Sequence, residues 1–124
     1  MLGRDLPQVP LRPHAFFDLP EKDVEVRLKR PVRVRYREVG TGQPLLLVHG
    51  LMTSGYSWRY AIESLATKYR VIVPDLIGAG NSAKPLWFDY TLDATAEFLG
   101  AFLEALHVGS ADVVGVVVSC ALVD

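Results

Sequence analysis

Hydrophobic and polar positions change rhythm twice along this chain. Residues 1–21 hold no period. Pro7, Pro10, Pro13 and Pro20 punctuate them, and Arg4, Asp5, Arg12, His14 and Asp18 leave no apolar run. We expect an irregular, proline-rich lead there and a folded unit over 22–124. From Asp23 the stretch DVEVRLKRPVRVRYREVG alternates apolar and charged residues with period two. It predicts two half-buried antiparallel strands joined near Lys29 to Pro31. Val24, Val26 and Leu28 fall on one face and Val32, Val34 and Tyr36 on another. The basic residues between them read as a solvated face. The rhythm then changes to short continuous apolar runs, PLLLVHG, YRVIVPD and ADVVGVVV. Such runs suit strands buried on both faces, as in a parallel sheet.

Helical patterns separate these runs. SGYSWRYAIESLATKY places Trp58, Ile62, Leu65 and Ala66 on one side, with Ser57 as its N-cap. TLDATAEFLGAFLEALHVG places Leu92, Ala96, Leu99, Leu103 and Leu106 on a stripe. Thr91 is its expected N-cap, Asp93 suits the positive helix start, and Gly109 follows its end. Strand, helix, strand, helix, strand is the signature of an α/β fold with right-handed crossovers.

Composition adds bounds. The chain has 124 residues, half of them hydrophobic and 22% charged, which suits one globular domain with a core. A formal net charge of −1 gives no electrostatic reason to expect nucleic acid or an anionic membrane as partner. Cys120 is the single cysteine, so neither a disulfide framework nor a metal-binding cysteine cluster is expected. It reads as a small buried hydrophobe. The lead has no apolar signal-peptide core, and no run approaches the roughly 18 to 20 apolar residues that span a bilayer. We expect a cytoplasmic protein.

Two stretches could carry chemistry. In LLLVHGLMTSGYSW a buried strand runs straight into His49-Gly50. Glycine permits a tight turn and a close backbone approach. The N–H of Leu51 is then free to point into a cleft at the strand's carboxyl end, where open α/β sheets bind ligands. In VIVPDLIGAGNSAKP, Gly78-Ala79-Gly80-Asn81-Ser82-Ala83 fits the letters of a dinucleotide fingerprint with alanine at its third glycine. The physics of that fingerprint requires the glycines to open a helix. Pro85 follows at once, and the next helical pattern begins near Thr91. A glycine-rich loop over the sheet edge, with Asp75 and Ser82 bonding backbone groups, is the plainer reading.

Together, LLLVHGLMTSGYSWR, RVIVPDLIGAGNSAKP and YTLDATAEFLGAFLEALHV resemble the front half of an α/β-hydrolase-fold enzyme. The nearest branch holds esterases, carbon–carbon bond hydrolases, epoxide hydrolases and haloalkane dehalogenases. The resemblance covers residues 24–124. It implies an incomplete α/β-hydrolase fold, an antiparallel hairpin followed by parallel strands with crossover helices. It implies hydrolysis of an ester or related bond through a covalent intermediate, with no cofactor and no metal. Leu51 N–H would be one oxyanion-hole donor, with Val118 N–H the second if the elbow forms. His49 and Gly50 would be structural beside it, as would Asp75, Gly78, Gly80 and Ser82 in the second loop. Epoxide hydrolases usually show proline where Met52 stands and dehalogenases often asparagine where Leu51 stands, so both departures favour the esterase or carbon–carbon side.

The family's nucleophile elbow is Gly-x-Ser-x-Gly at the end of the fifth strand. With Gly115 as the first glycine, Val117 takes the nucleophile's place and Ser119 that of the second glycine. Val117 has no nucleophilic atom, and a β-branched residue tolerates strained elbow geometry poorly. Ser119 and Cys120 lack the flanking glycines a shifted elbow needs. His14, His49 and His107 are the only histidines, and none follows Val117, where this fold places its catalytic base. We therefore expect a chain truncated after the elbow strand and not catalytic by itself. The rivals are a non-catalytic small-molecule-binding or degraded fragment and, behind it, a nucleotide-binding domain. The apolar edge Asp112 to Val118 makes self-association a further expectation.

Overall fold

The structure, a computed structural model, describes residues 13–50 and 53–115. Five strands form one mixed sheet: β1 (Lys22–Arg27), β2 (Pro31–Val39), β3 (Gln43–Val48), β4 (Tyr69–Pro74) and β5 (Asp112–Gly115). Their order is β1-β2-β4-β3-β5. β2 runs antiparallel to both β1 and β4, while β3 runs parallel to β4 and β5. The alternating stretch thus gives the antiparallel part, and the continuous apolar runs give the parallel part.

Both faces of the parallel part are buried. Along β3, Leu46 and Val48 face one core and Leu45 and Leu47 the other; along β4, Ile72 opposes Val71 and Val73 in the same way. Two apolar faces on one strand leave no polar position, which is why these segments read as unbroken runs. Over residues 22–36 the hairpin has one core face only. Val24 lies opposite Val34, and Val26 opposite Val32. Directly opposed residues in a ladder project to the same side. Val24, Val26, Val32, Val34 and Tyr36 therefore share a face, together with Leu28. The expected separation of the two strands onto different faces is corrected by the pairing register.

Among the described residues two helices cover the two sides. The first, α1 (Ile62–Leu65), is a single turn that buries Ile62 in the core of Leu45, Leu47, Val71 and Val73. A 3-10 turn, Gly55–Trp58, precedes it. The expected continuous helix is thus two short turns, and its cap is Ser54 rather than Ser57: the Ser54 hydroxyl accepts from the Tyr56 N–H. Trp58, Leu65 and Ala66 do pack on this core from its margin.

The second helix, α2 (Leu92–Ala105), begins as expected. The Thr91 hydroxyl accepts from the Ala94 N–H at 3.1 Å, and Asp93 lies in the first turn. Its core face differs from the expected stripe. Phe98 and Phe102, four residues apart, are the fully buried pair, while Leu92 is 51% exposed and Ala96 is also exposed. Phe102 meets Tyr36 of β2 edge-on at 5.6 Å between ring centroids. Aromatic rings bury the most area per residue, so they set the rotation of the helix, and Leu99, Leu103 and Leu106 pack at its rim.

The helix ends at Ala105 with Leu106 as its C-cap, and His107, two residues before Gly109, takes the left-handed position that follows. His107 has φ 60. Its N–H reaches the Glu104 carbonyl at 2.9 Å, and the Val108 N–H reaches the Leu103 carbonyl at 2.9 Å. This pair of bonds is a Schellman ending, with buried Val108 as its apolar anchor.

In the lead, Phe16–Asp18 forms a 3-10 turn and Phe16 enters the second core. Buried Arg37 holds it there. Its guanidinium donates to the carbonyls of Phe16 at 3.0 Å and Leu19 at 2.8 Å, pairs with Glu21, and lies 4.3 Å over the Phe16 ring.

Candidate active site at the carboxyl ends of the central strands

β3 and β4 are parallel neighbours, so they deliver their following loops to the same end of the sheet. β3 ends at Val48 and hands over to His49-Gly50; β4 ends at Pro74 and hands over to Asp75. Two cross-links tie these loops together. The Nε2 of His49 accepts from the Leu76 N–H at 2.9 Å. The Oδ1 of Asp75 accepts from the Gly55 N–H at 2.8 Å.

His49 is 1% exposed. Because its Nε2 accepts, the proton of the neutral ring sits on Nδ1, which donates to the Gly50 carbonyl at 2.7 Å. Burial, which penalises the charged ring, pulls its pKa below the ordinary value; the Gly50 carbonyl and the Asp75 carboxylate oppose that shift more weakly. The Gly50 carbonyl also accepts from the Thr53 hydroxyl at 2.6 Å and from the Thr53 N–H at 3.3 Å.

The second loop closes around one carboxylate. The Oδ2 of Asp75 accepts from the Asn81 N–H at 3.0 Å. Buried Ser82 donates to the Asp75 carbonyl at 2.6 Å and accepts from the Arg35 N–H at 2.9 Å. The Gly78 N–H reaches the Ala83 carbonyl at 2.8 Å. Gly78 and Gly80 have φ 88 and 51. A Cβ on Gly78 would strike the Tyr90 ring, and one on Gly80 would strike the Asp75 carboxylate. Two glycines are needed because the loop wraps tightly over its own acid. They open no helix: α2 begins at Leu92. The geometry that a dinucleotide fingerprint requires is therefore missing here.

His49, Gly50, Asp75, Gly78, Gly80 and Ser82 thus gather at one end of the sheet. Leu51, Met52, Val117, Val118, Ser119 and Cys120 lie outside the described residues. Thr53, Ser54 and Gly55 also belong to the site and escaped the sequence reading. A threonine three residues after Gly50 is the local pattern of a hydroxyl folding back on a backbone carbonyl, and could have signalled it. The other histidines stand elsewhere: His14 packs edge-on against Tyr56 and Tyr60, and His107 follows the end of α2. Among the described residues no group of His, Cys, Asp and Glu is placed to hold a metal ion. Among the same residues no helix is long and apolar enough to cross a membrane.

This architecture has known counterparts. Residues 43–116 match the family model of the alpha/beta hydrolase fold. The chain is 38% identical over 74 residues to haloalkane dehalogenase 2 of Mycobacterium tuberculosis, covering 60% of this chain and 26% of that protein. It is 41% identical over 88 residues to the 2-hydroxy-6-oxo-6-(2'-aminophenyl)hexa-2,4-dienoic acid hydrolase of Metapseudomonas resinovorans, covering 68% and 30%. The crystal structure of an epoxide hydrolase from Vigna radiata superposes with a TM-score of 0.71 at 30% identity, covering 80% and 32%. The chain spans about a quarter to a third of the length of these relatives. With its sheet order, its paired loops and a family match across both, the chain belongs to the α/β-hydrolase fold family.

Proposed function

We propose that this chain carries the binding half of a hydrolase site without the nucleophile. Its relatives are hydrolases of the family. In the proposed site the Leu51 N–H is an oxyanion donor, and Val118 N–H joins it if the elbow forms. His49, Gly50, Asp75, Gly78, Gly80 and Ser82 hold the surrounding loops. The observation that carries this reading is the Gly50 carbonyl, bound by the His49 ring and the Thr53 hydroxyl at the end of a central strand. Such a peptide, held before any ligand arrives, suits an N–H that must meet charge developing in a transition state. One donor of that kind is worth roughly 3 kcal/mol of barrier.

Val117 stands where the family places its nucleophile, and it cannot form a covalent intermediate. No described histidine is posed as a base. Both ring nitrogens of His49 are engaged in hydrogen bonds, and its burial disfavours the protonated ring a base must become. The chain by itself then binds a small carbonyl or oxyanion ligand and does not turn it over. The test is hydrolysis of p-nitrophenyl butyrate. We expect no turnover above buffer, and none from the variant combining Val117→Ser, Ser119→Gly and Cys120→Gly, which rebuilds the elbow without a base. Turnover in that variant, abolished by a serine-reactive phosphonate, would overturn the proposal.

A further inference from the structure

Three residues of the lead close around one ring of the Gly55–Trp58 turn. Phe17 stacks on Tyr56, with ring centroids 5.1 Å apart and planes at 23°. Phe16 and His14 meet the same ring edge-on, at 5.4 and 5.6 Å. The Nε2 of His14 lies 3.4 Å from the Tyr56 hydroxyl. From the turn itself, the Arg59 guanidinium lies 4.2 Å over the Tyr56 ring and donates to the Tyr56 carbonyl at 3.1 Å. Phe17 is 68% exposed and belongs to neither core. What its ring supplies is this aromatic contact, which stabilises beyond the area it buries. Behind the lead, buried Arg37 of β2 donates to the Phe16 and Leu19 carbonyls and pairs with Glu21. One planar fork thus fixes three points of residues 16–21, a geometry that suits a guanidinium and not an ammonium. The turn sits in its place just as closely. The Gly55 N–H donates to the Oδ1 of Asp75 at 2.8 Å, and a Cβ at this glycine would stand 3.0 Å from the Val73 side chain. Tyr56 follows Gly55 directly, so clamping its ring restrains the backbone that presents the Gly55 N–H.

We propose that residues 14–21 are a strap, latched by Arg37 and clipped over Tyr56 by Phe17, that holds the Gly55–Trp58 turn against Asp75, and that strap and turn open as one unit. The strap acts through Tyr56, and the inference stands apart from the oxyanion reading. Asp75 provides an internal reference. Its Oδ1 takes the Gly55 N–H and its Oδ2 the Asn81 N–H. Of these two donors, Gly55 lies on the strapped turn and Asn81 on the glycine-rich loop.

The experiment is native-state hydrogen exchange, read amide by amide by NMR on the 15N-labelled full chain. Amides of one cooperative unit share one opening free energy, so a substitution that weakens the unit speeds them by one factor. The Leu19 N–H, which donates to the Phe16 carbonyl, reports the strap, and the Gly55 N–H reports the seat of the turn. Ile72, fully buried in β4, reports the sheet. We expect Phe17→Ala to speed Leu19 and Gly55 by the same factor, about twofold to tenfold for the loss of one aromatic pair. Asn81 and Ile72 should not change. Phe17→Tyr keeps the ring and should leave all four rates as they are. Arg37→Lys keeps the charge but not the fork, and should speed the same two amides by a common factor. Leu19 speeding while Gly55 holds its rate, in either variant, overturns the coupling. So does a common rise at Leu19, Gly55, Asn81 and Ile72, which is a general loss of stability. Rates that Phe17→Ala leaves unchanged, or a Leu19 amide already unprotected in the unsubstituted chain, overturn the strap itself.

Discussion

His49 links two loops that lie 27 residues apart in sequence. It can accept from the Leu76 N–H only while its Nε2 is unprotonated. Burial lowers its folded pKa, so the unfolded chain binds this proton more readily than the folded one. Stability from this group is complete above the unfolded value of about 6.5 and is lost as pH falls below it. We expect the unfolding free energy read by urea titration to drop between pH 7.5 and pH 5.5, by at most about 1.4 kcal/mol per pH unit from this site. In the variant His49→Gln that part of the pH dependence should disappear. Gly80 is the second residue with a sharp expectation. The substitution Gly80→Ala forces a left-handed backbone on an L-residue and drives a methyl group into a carboxylate already held by the Gly55 and Asn81 N–H groups. The backbone alone costs about 1–2 kcal/mol, and the collision adds to it. A thermal melt should show the loss.

Both ends of α2 depend on one residue each. At the start, removing the Thr91 hydroxyl by Thr91→Ala should cost about 1 kcal/mol, with Thr91→Ser retaining most of it, as read by chemical denaturation. At the end, His107 occupies the left-handed position where glycine is usual. Its side chain is exposed, so His107→Gly should relieve strain and stabilise the protein by up to about 1 kcal/mol. The same helix shows how far periodicity reaches. A period of 3.6 announces a helix and its polar side, and the Thr91 cap was readable because capping is a bond between near neighbours. It cannot rank the apolar residues of one arc. Phe98 and Phe102 own the centre because the hairpin presents Tyr36, Val26 and Val34 there. For α1 the local pattern misled more. Gly55 must pack against the Asp75 carboxylate and Val73, and a tertiary contact decides where the chain turns.

Across the whole molecule, the sheet pairs β5 on one side only among the described residues, with β3. Val113 and Val114 are 39% and 43% exposed there. An apolar strand with one unpaired edge recruits other strands. We expect concentration-dependent self-association in analytical ultracentrifugation, reduced in Val114→Lys; sedimentation as a monomer at all concentrations would remove the expectation. The described residues contain a strand order that no single segment specifies. β2 lies beside β4 rather than β3, although a short turn joins it to β3. That order places the His49 and Asp75 loops side by side and makes one site of two separate motifs.

The sequence by itself determined the α/β class, the antiparallel start, the parallel strands, the Thr91 cap, and the His49-Gly50 and Asp75-to-Ser82 loops. Each follows from chemistry within a few residues: the two-residue period of a pleated strand, the doubly apolar run of a buried one, the need for glycine where φ is positive. Only the tertiary structure decided that both strands of the hairpin face one core, that Phe98 and Phe102 anchor α2, that Ser54 caps the first turn, and that Thr53 and His49 close on the Gly50 carbonyl. Cross-strand register and loop contacts join residues distant in sequence. Their partners are set by which strands lie side by side, and no local period carries that information.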